Sequence, residues 1–201
     1  MKSSQLFKWM FVLLYCCVVM NSCRKDSING RDGESVVRFT FNGEQIEYSS
    51  GAFGNISEND GMKTMVIGAY KNFSVASALK EHISLIVYSN TAITAGANYH
   101  DPIKVSTTNG TKMPQVIITH YNKAETGFQT VGIMSDENGV VMGSDLIPSL
   151  KNIAVDANVT VTELTNTRIK GRFSGTAYQA DSWTDGKKFP ITNGEFSVVR
   201  E

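Results

Sequence analysis

Asn42-Gly43 stands midway between two runs of alternating apolar and polar residues, and that arrangement limits what residues 36–48 can become. Asn followed by Gly is the pair best able to take positive φ at both central positions of a two-residue hairpin turn. With the turn there, Phe39 faces Ile46 and Val37 faces Tyr48 on one side of the ribbon. Arg38 meets Glu47 and Thr40 meets Gln45 on the other. A slip of one residue would set the apolar side chains against polar ones, so turn and pattern specify the same register.

Similar punctuation recurs along the chain. Gly is frequent (17) and Pro scarce (4), Asn-Gly or Asp-Gly separates short alternating runs, and stripes of helical period are nearly absent. Val159–Ala177 predicts a second hairpin, in which a three-residue loop, Thr165–Thr167, aligns Val159 with Phe173 and Val161 with Gly171. A third turn is expected at Asn193-Gly194, matching Ile191 with Phe196 and Phe189 with Val198. Pro190 would then fall at a hydrogen-bonded pair with no N–H to donate, a conflict that a bulge or an edge position would resolve. Further strands are expected over Lys63–Tyr70, His82–Ser89 and Pro114–Asn122, with a looser hairpin over Gln129–Met142 turning at Asp136–Gly139. Val75, Ala78 and Leu79 mark at most one helical turn. Eight to ten short strands predict an all-β fold, an antiparallel β-sandwich or a partly open β-barrel, because either protects the sheet edges.

The N-terminus carries a different signal. Lys2 and Lys8 precede an unbroken apolar stretch, Trp9–Met20. A helix of that length spans about 18 Å, short of a hydrocarbon core of about 30 Å, so it suits an export signal better than a permanent membrane span. Met20-Asn21-Ser22-Cys23 resembles a lipobox, with the small Ser22 before the cysteine that receives diacylglycerol. Met20 and Asn21 depart from the usual aliphatic and small residues of that motif. Cys16 and Cys17 lie inside the segment that cleavage after Ser22 removes, leaving Cys23 alone and no intrachain disulfide. Stable anchoring takes at least two acyl chains, which a thioether diacylglycerol and an N-acyl group supply. The expected organisation is therefore a cleaved signal peptide over residues 1–22, a lipidated Cys23 with a tether over 23–35, and one β-domain over 36–201.

Arg24–Ser35 holds one aliphatic residue, Ile28, and cannot bury enough apolar surface to offset its ordering entropy. Lys25-Asp26 partly resembles the signal that sends Bacteroidota lipoproteins to the cell surface, although Ser27 stands where a second acidic residue is usual. Asp26-Ser27-Ile28 resembles a short O-glycosylation acceptor in that phylum, and reads equally as plain solvated linker. Loss of 22 residues leaves 179, and without Lys2 and Lys8 there remain 17 basic against 19 acidic residues, a formal balance of −2. Without a basic stripe or lysine run, nucleic acid is not an expected partner.

Gly96-Ala97-Asn98-Tyr99, Val159-Thr160-Val161-Thr162-Glu163-Leu164, the run Ile169–Ala177 and Ile191-Thr192-Asn193-Gly194-Glu195-Phe196 together resemble a group of small, uncharacterised Bacteroidota lipoproteins. The match is strongest over the C-terminal forty or so residues. The resemblance implies an all-β domain behind a lipid anchor and implies no activity.

Motifs for catalysis are missing: the sequence holds no P-loop, Gly-x-Gly-x-x-Gly, Gly-x-Ser-x-Gly or His-Glu-x-x-His, and nothing that calls for a cofactor. His82, His100 and His120 are the histidines, and nothing in their spacing requires a metal. Glu58 and Asp60 before Gly61, and Asp136 and Glu137 before Asn138-Gly139, suit turns on backbone grounds and lack the ligand ladder of an EF-hand. Trp183, the one tryptophan after cleavage, lies in Asp181-Ser182-Trp183-Thr184-Asp185-Gly186. It is either a platform on which a sugar stacks or a cap folded onto the core. Gly171, Gly175 and Ala177 leave little side chain on one strand face, which either opens a ligand cavity or admits a neighbouring strand. The expectation is a non-catalytic protein of the outer membrane, periplasmic or surface-exposed. Its anchor is lipid through Cys23, and its partner a glycan or another envelope protein. A lipocalin-like carrier of a small hydrophobic ligand is the alternative, and a hydrolase assembled only in three dimensions a more distant one.

Overall fold

The computed structural model describes residues 34–71, 81–108, 110, 112–122, 127–130, 153–180, 182 and 185–201. Cys23, Trp183, the short helical turn at Val75–Leu79 and all of the Gln129–Met142 hairpin beyond Thr130 lie outside these residues.

Asn42 and Gly43 take φ of +49° and +88°, folding β1 (Val36–Phe41) back as β2 (Glu44–Tyr48). The pairs Val37–Tyr48, Arg38–Glu47, Phe39–Ile46 and Thr40–Gln45 form as the turn demands. Asp60-Gly61, at +49° and +74°, does the same between β3 (Ser50–Asn59) and β4 (Met62–Tyr70). The remaining strands among the described residues are β5 (His82–Ser89), β6 (Asn98–His100), β7 (Lys104–Ser106), β8 (Lys112–Pro114), β9 (Val116–Tyr121), β10 (Gly127–Thr130), β11 (Asn158–Leu164), β12 (Arg168–Gln179) and β13 (Phe189–Arg200). The strands β6, β7 and β8 are three residues long, too short to leave a readable alternation in the sequence.

The all-β architecture expected from turn spacing is the one the chain adopts, and its main sheet closes on itself. β12 and β13, each twelve residues, pair along their length and form the spine. On the far side of β13, β1 pairs as far as Ser197, and β3 then takes over in parallel at Val199–Phe53 and Arg200–Gly54. On the far side of β12, β11 pairs from Ile169 to Ser174, and β10 takes over from Ala177 to Gln179. A second wall runs β3-β4-β5-β9-β10, so seven strands close a ring through β12 and β13. The β1-β2 and β11-β6 pairs extend beyond the ring as flaps, and β7-β8 forms a separate two-stranded sheet.

Strict alternation fills the space between the walls. Met65, Ile67, Ile83, Leu85, Val116 and Ile118 from one wall join Val37, Val161, Ile169, Ile191, Phe196 and Val198 from the other in a single buried cluster. Each such side chain contributes about 1.5–3 kcal/mol of burial.

Two sequence expectations are corrected. Asn193-Gly194 is not a turn but a bulge within β13: Asn193 takes φ of +52°, and both the β1 and the β12 registers slip by one residue there. Continuity wins because the unbroken strand serves β1 and β12 together, whereas a hairpin would forfeit one of these ladders. Gly194 is required by close approach, since a Cβ would strike the Phe173 carbonyl and ring. The second hairpin keeps Val159–Phe173 and Val161–Gly171 as expected, but a bulge between Val161 and Glu163 moves the last pair to Leu164–Ile169, leaving a four-residue loop.

The small face of β12 is filled. A Cβ on Gly171 would enter the Phe196 ring and the Thr160 carbonyl, and one on Gly175 would lie 3.2 Å from the Ala157 Cα. Close packing, not a cavity, uses these glycines.

Candidate functional site

Space opens instead where the β1-β2 flap leaves the ring. β2 ends the sheet order, so one of its edges has no strand partner among the described residues. Between β2 and the ends of β4, β5 and β9 lies a cleft of about 330 Å³, lined by Glu44, Gln45, Ile46, Glu47, Tyr48, Lys71, Glu81, His120 and Asn122. That volume lies at the small end of ordinary ligand pockets, about 300–1,000 Å³.

The Asn42-Gly43 hairpin fixes the first five of these residues. Lys71 and Glu81 are held together where β4 and β5 end: the Lys71 N–H donates to the Glu81 carbonyl at 3.0 Å, and Lys71 Nζ donates to Glu81 Oε1 at 3.0 Å. Across the hairpin Arg38 Nε reaches Glu47 Oε2 at 2.6 Å. Half-exposed pairs of this kind add little stability.

His120 is the floor. Val116, Ile118 and His120 share the inward face of β9, so the imidazole enters the core fully buried. Phe39, Phe41, Tyr48 and Phe128 surround it, with centroids 5.1, 4.7, 6.1 and 6.3 Å away. Neither ring nitrogen closes a hydrogen bond of regular geometry, although the His82 backbone lies close enough to favour the charged ring. Burial pushes the pKa from its ordinary 6.5 down to about 4, against weaker pulls from the His82 backbone and the Glu81 carboxylate. The ring is therefore neutral at neutral pH, with one donor and one acceptor unspent. Leaving such groups unpaired costs about 1–3 kcal/mol each. Beside it the Tyr48 phenol is pushed up, first by burial and then by Glu81 and Glu44, and stays protonated.

A second buried group, Asp101 after β6, retains 4% of its exposure, and the Val116 and Gln115 backbone lies near its carboxylate without closing a hydrogen bond of regular geometry. Burial raises its pKa to about 6, despite the opposing pull of Lys104, the backbone at Val116 and Gln115, and His100.

The three histidines are kept apart. His82 lies one position off the Ile83–His120 pair, on the opposite face of the wall, and its ring stacks on Tyr121 at 4.6 Å. His100, in β6, donates its backbone N–H to Gln115 Oε1 at 3.0 Å. Among the described residues no group of three His, Cys, Asp or Glu side chains could hold a metal ion. Glu58 pairs with Lys63 across the Asp60-Gly61 turn, as a turn carboxylate does.

Sequence reasoning did not single out the cleft. One signal was available: in Val116-Ile117-Ile118-Thr119-His120, the histidine occupies the next inward position of an apolar stripe. Glu81 and Lys71 carry no such mark, because only the β4-β5 register brings them to β2.

Fold and cleft define an all-β domain closed around an apolar core, with a small cleft beside its flap. Comparison with protein-family models, with curated proteins and with solved structures gives no match.

Proposed function

We propose that the chain is a lipid-anchored, non-catalytic binding protein of the cell envelope, and that the cleft between β2 and β9 is its binding site. The observation that carries this reading is the cleft itself, about 330 Å³ between β2 and the ends of β4, β5 and β9, with Tyr48 and the buried His120 beneath it. A cleft of this volume beside a fixed hairpin suits a small ligand. Catalysis is disfavoured by the same geometry. Among the described residues no Ser, Thr or Cys lines the cleft, and no carboxylate hydrogen-bonds the ring to orient it as a base. A hydrophobic carrier built on the small face of β12 is disfavoured because Phe196, Ala157 and Thr130 occupy that space.

The anchor rests on Trp9–Met20 and Ser22-Cys23, and on the resemblance to Bacteroidota lipoproteins. Outer-membrane placement, on the periplasmic or the surface face, is proposed on the same grounds. Two measurements test the reading. Cells given an alkyne fatty acid should label the parent chain and not Cys23→Ala, and equal labelling and membrane retention of the variant would sink the anchor. Full-length protein with ¹⁵N-labelled histidine, exposed to a small-molecule extract of the cell envelope, should show a shifted His120 ring resonance. An unmoved His120 would remove the binding site.

A further inference from the structure

The chain enters the fold at one end of the spine. Arg168 Nη1 donates to the Glu34 carbonyl at 3.4 Å, and the Val199 N–H donates to Ser35 Oγ at 2.9 Å. Glu34 and Ser35 are thereby held where β12 begins and β13 ends. Eleven residue steps separate Glu34 from Cys23, the anchor proposed above. A chain of that length reaches about 20 Å as a random coil and at most about 38 Å when straight. The twelve residues of β13 run about 40 Å, at about 3.3 Å each. The other end of the spine, at Gln179 and Phe189, could meet the bilayer only with the connection pulled straight along the whole domain. That leaves the end holding Glu34 as the one nearest the bilayer.

The side chains there suit lipid headgroups. Arg168 pairs with Val199 across the ladder, and the Arg200 N–H donates to the Thr167 carbonyl at 2.9 Å, so both arginines flank the entry point. Arg38, Lys71, Lys170 and Arg172 each have a carboxylate partner, whereas Arg168 and Arg200 have none among the described residues. Arg168 Nη1 also donates to Ser197 Oγ at 2.8 Å, and Arg200 Nη1 to the Thr165 carbonyl at 3.2 Å. A guanidinium has five N–H donors, so most of them remain for a further acceptor. Val199 beside them is 42% exposed, and among the described residues only Ile103 is a large apolar side chain as open. Glu34 and Glu201 are exposed at the same end. The case therefore rests on two directed guanidinium groups and an open valine, and not on net charge.

We propose that this end of the domain docks on the membrane that holds the anchor, with Arg168 and Arg200 bonding lipid phosphates and Val199 entering the headgroup layer. The inference rests on Cys23 being lipidated. A guanidinium fits a phosphate because its planar fork meets two oxygens at once. Docking in this pose turns the opposite end of β13 to the aqueous side. Asn42 donates its N–H to the Pro190 carbonyl there, at 2.9 Å, so the β1-β2 hairpin is presented to molecules arriving from solution.

The test uses the lipidated protein, purified from membranes and reconstituted in vesicles of phosphatidylethanolamine and phosphatidylglycerol. Signal cleavage and acylation leave no free thiol, so a fluorophore can be carried alone on Asn166→Cys, beside the entry, or on Lys188→Cys, at the other end. Both positions are exposed. Lipid spin-labelled at its headgroup should quench the Asn166 label at least about threefold more than the Lys188 label. Arg168→Gln combined with Arg200→Gln should reduce the Asn166 quenching by about half and leave the Lys188 label unchanged. Raising the salt should act on the parent in the same direction, a comparison that needs no variant. Equal quenching at the two positions, or stronger quenching at Lys188, overturns the docked pose while the anchor stands. Quenching that favours Asn166 but ignores both the arginines and salt overturns the phosphate contact, because the connection alone would then set the pose. Protein that does not float with the vesicles refutes the anchor, and this inference with it.

Discussion

His120 and Asp101 should impose opposite pH dependences on stability, and removing either one exposes the other. Folding lowers the His120 pKa from 6.5 to about 4. Between those values the unfolded chain binds a proton that the folded chain refuses, so stability is lost as pH falls through this window. Folding raises the Asp101 pKa from 3.8 to about 6. There the folded chain keeps a proton that the unfolded chain has released, so stability is gained as pH falls. Each tenfold change in proton affinity is worth about 1.4 kcal/mol. From pH 7 to pH 4.5, His120 then removes about 2.5 kcal/mol and Asp101 restores about 2 kcal/mol. His120→Phe keeps the aromatic packing against Phe39, Phe41 and Phe128 and discards the titration. Relative to the parent it should gain about 2.5 kcal/mol between pH 7 and pH 4.5, while Asp101→Asn should lose about 2 kcal/mol over the same range. Urea unfolding followed by far-ultraviolet circular dichroism at pH 7, 5.5 and 4.5 measures both, and groups common to parent and variant cancel in the difference. At pH 7, His120→Phe should also be the more stable protein by about 1–2 kcal/mol, because two unpaired buried nitrogens disappear. A variant that is less stable than the parent and runs parallel to it in pH would show that the ring already has a partner, which would refute the reasoning behind the cleft floor.

Gly171→Ala should destabilise by about 3 kcal/mol, the upper part of the usual overpacking range, because one obstacle is the Thr160 backbone. Gly175→Ala, whose new Cβ meets the Ala157 Cα at 3.2 Å, should cost about 1 kcal/mol in the same denaturation assay. Trp183 divides its two readings by fluorescence of soluble protein starting after Cys23. A recognition platform gives emission that acrylamide quenches readily and a glycan protects, whereas a core cap gives blue, poorly quenched emission and a Trp183→Ala loss of about 3–5 kcal/mol.

How much was legible depends on the range over which each feature is determined. The β1-β2 register is local: Asn42-Gly43 and eleven flanking residues contain all of it, and the four expected pairs form. Val159–Phe173 and Val161–Gly171 are nearly as local and also hold. Asn193-Gly194 carries the same dipeptide as the first hairpin, yet bends a strand without reversing it. What separates the two lies elsewhere in the chain. The first pair has no other strand requiring the chain to continue straight, whereas β13 must stay extended to serve β1, β12 and the parallel contact with β3. Pro190 was the local trace of that difference. In the bulged strand it sits opposite Thr176 and lends its carbonyl to the Asn42 N–H at 2.9 Å, a role that requires no N–H of its own.

The cleft could not be read in this way, because it is made of what the ring leaves over. β13 has two partners on one side in succession, β1 and then β3. A chain that passes from β2 into β3 must therefore carry β2 away from the wall that β3 enters. The edge of β2 is left facing the ends of β4, β5 and β9, across a gap that no strand among the described residues fills. His120 is inward because β9 alternates, and it meets that gap because it is near the end of β9. Neither fact involves the other, and no short motif records their coincidence. The same argument says which substitutions matter. Changes that flatten the bulge at Asn193 should alter the cleft from a distance, by shifting β1 and its hairpin along β13. Asn193→Val, disfavoured at a φ of +52°, should therefore move the ring resonance of His120 as well as lower stability. A shift confined to stability, with His120 unmoved, would mean that the flap is set by its own core contacts and not by the register of β13.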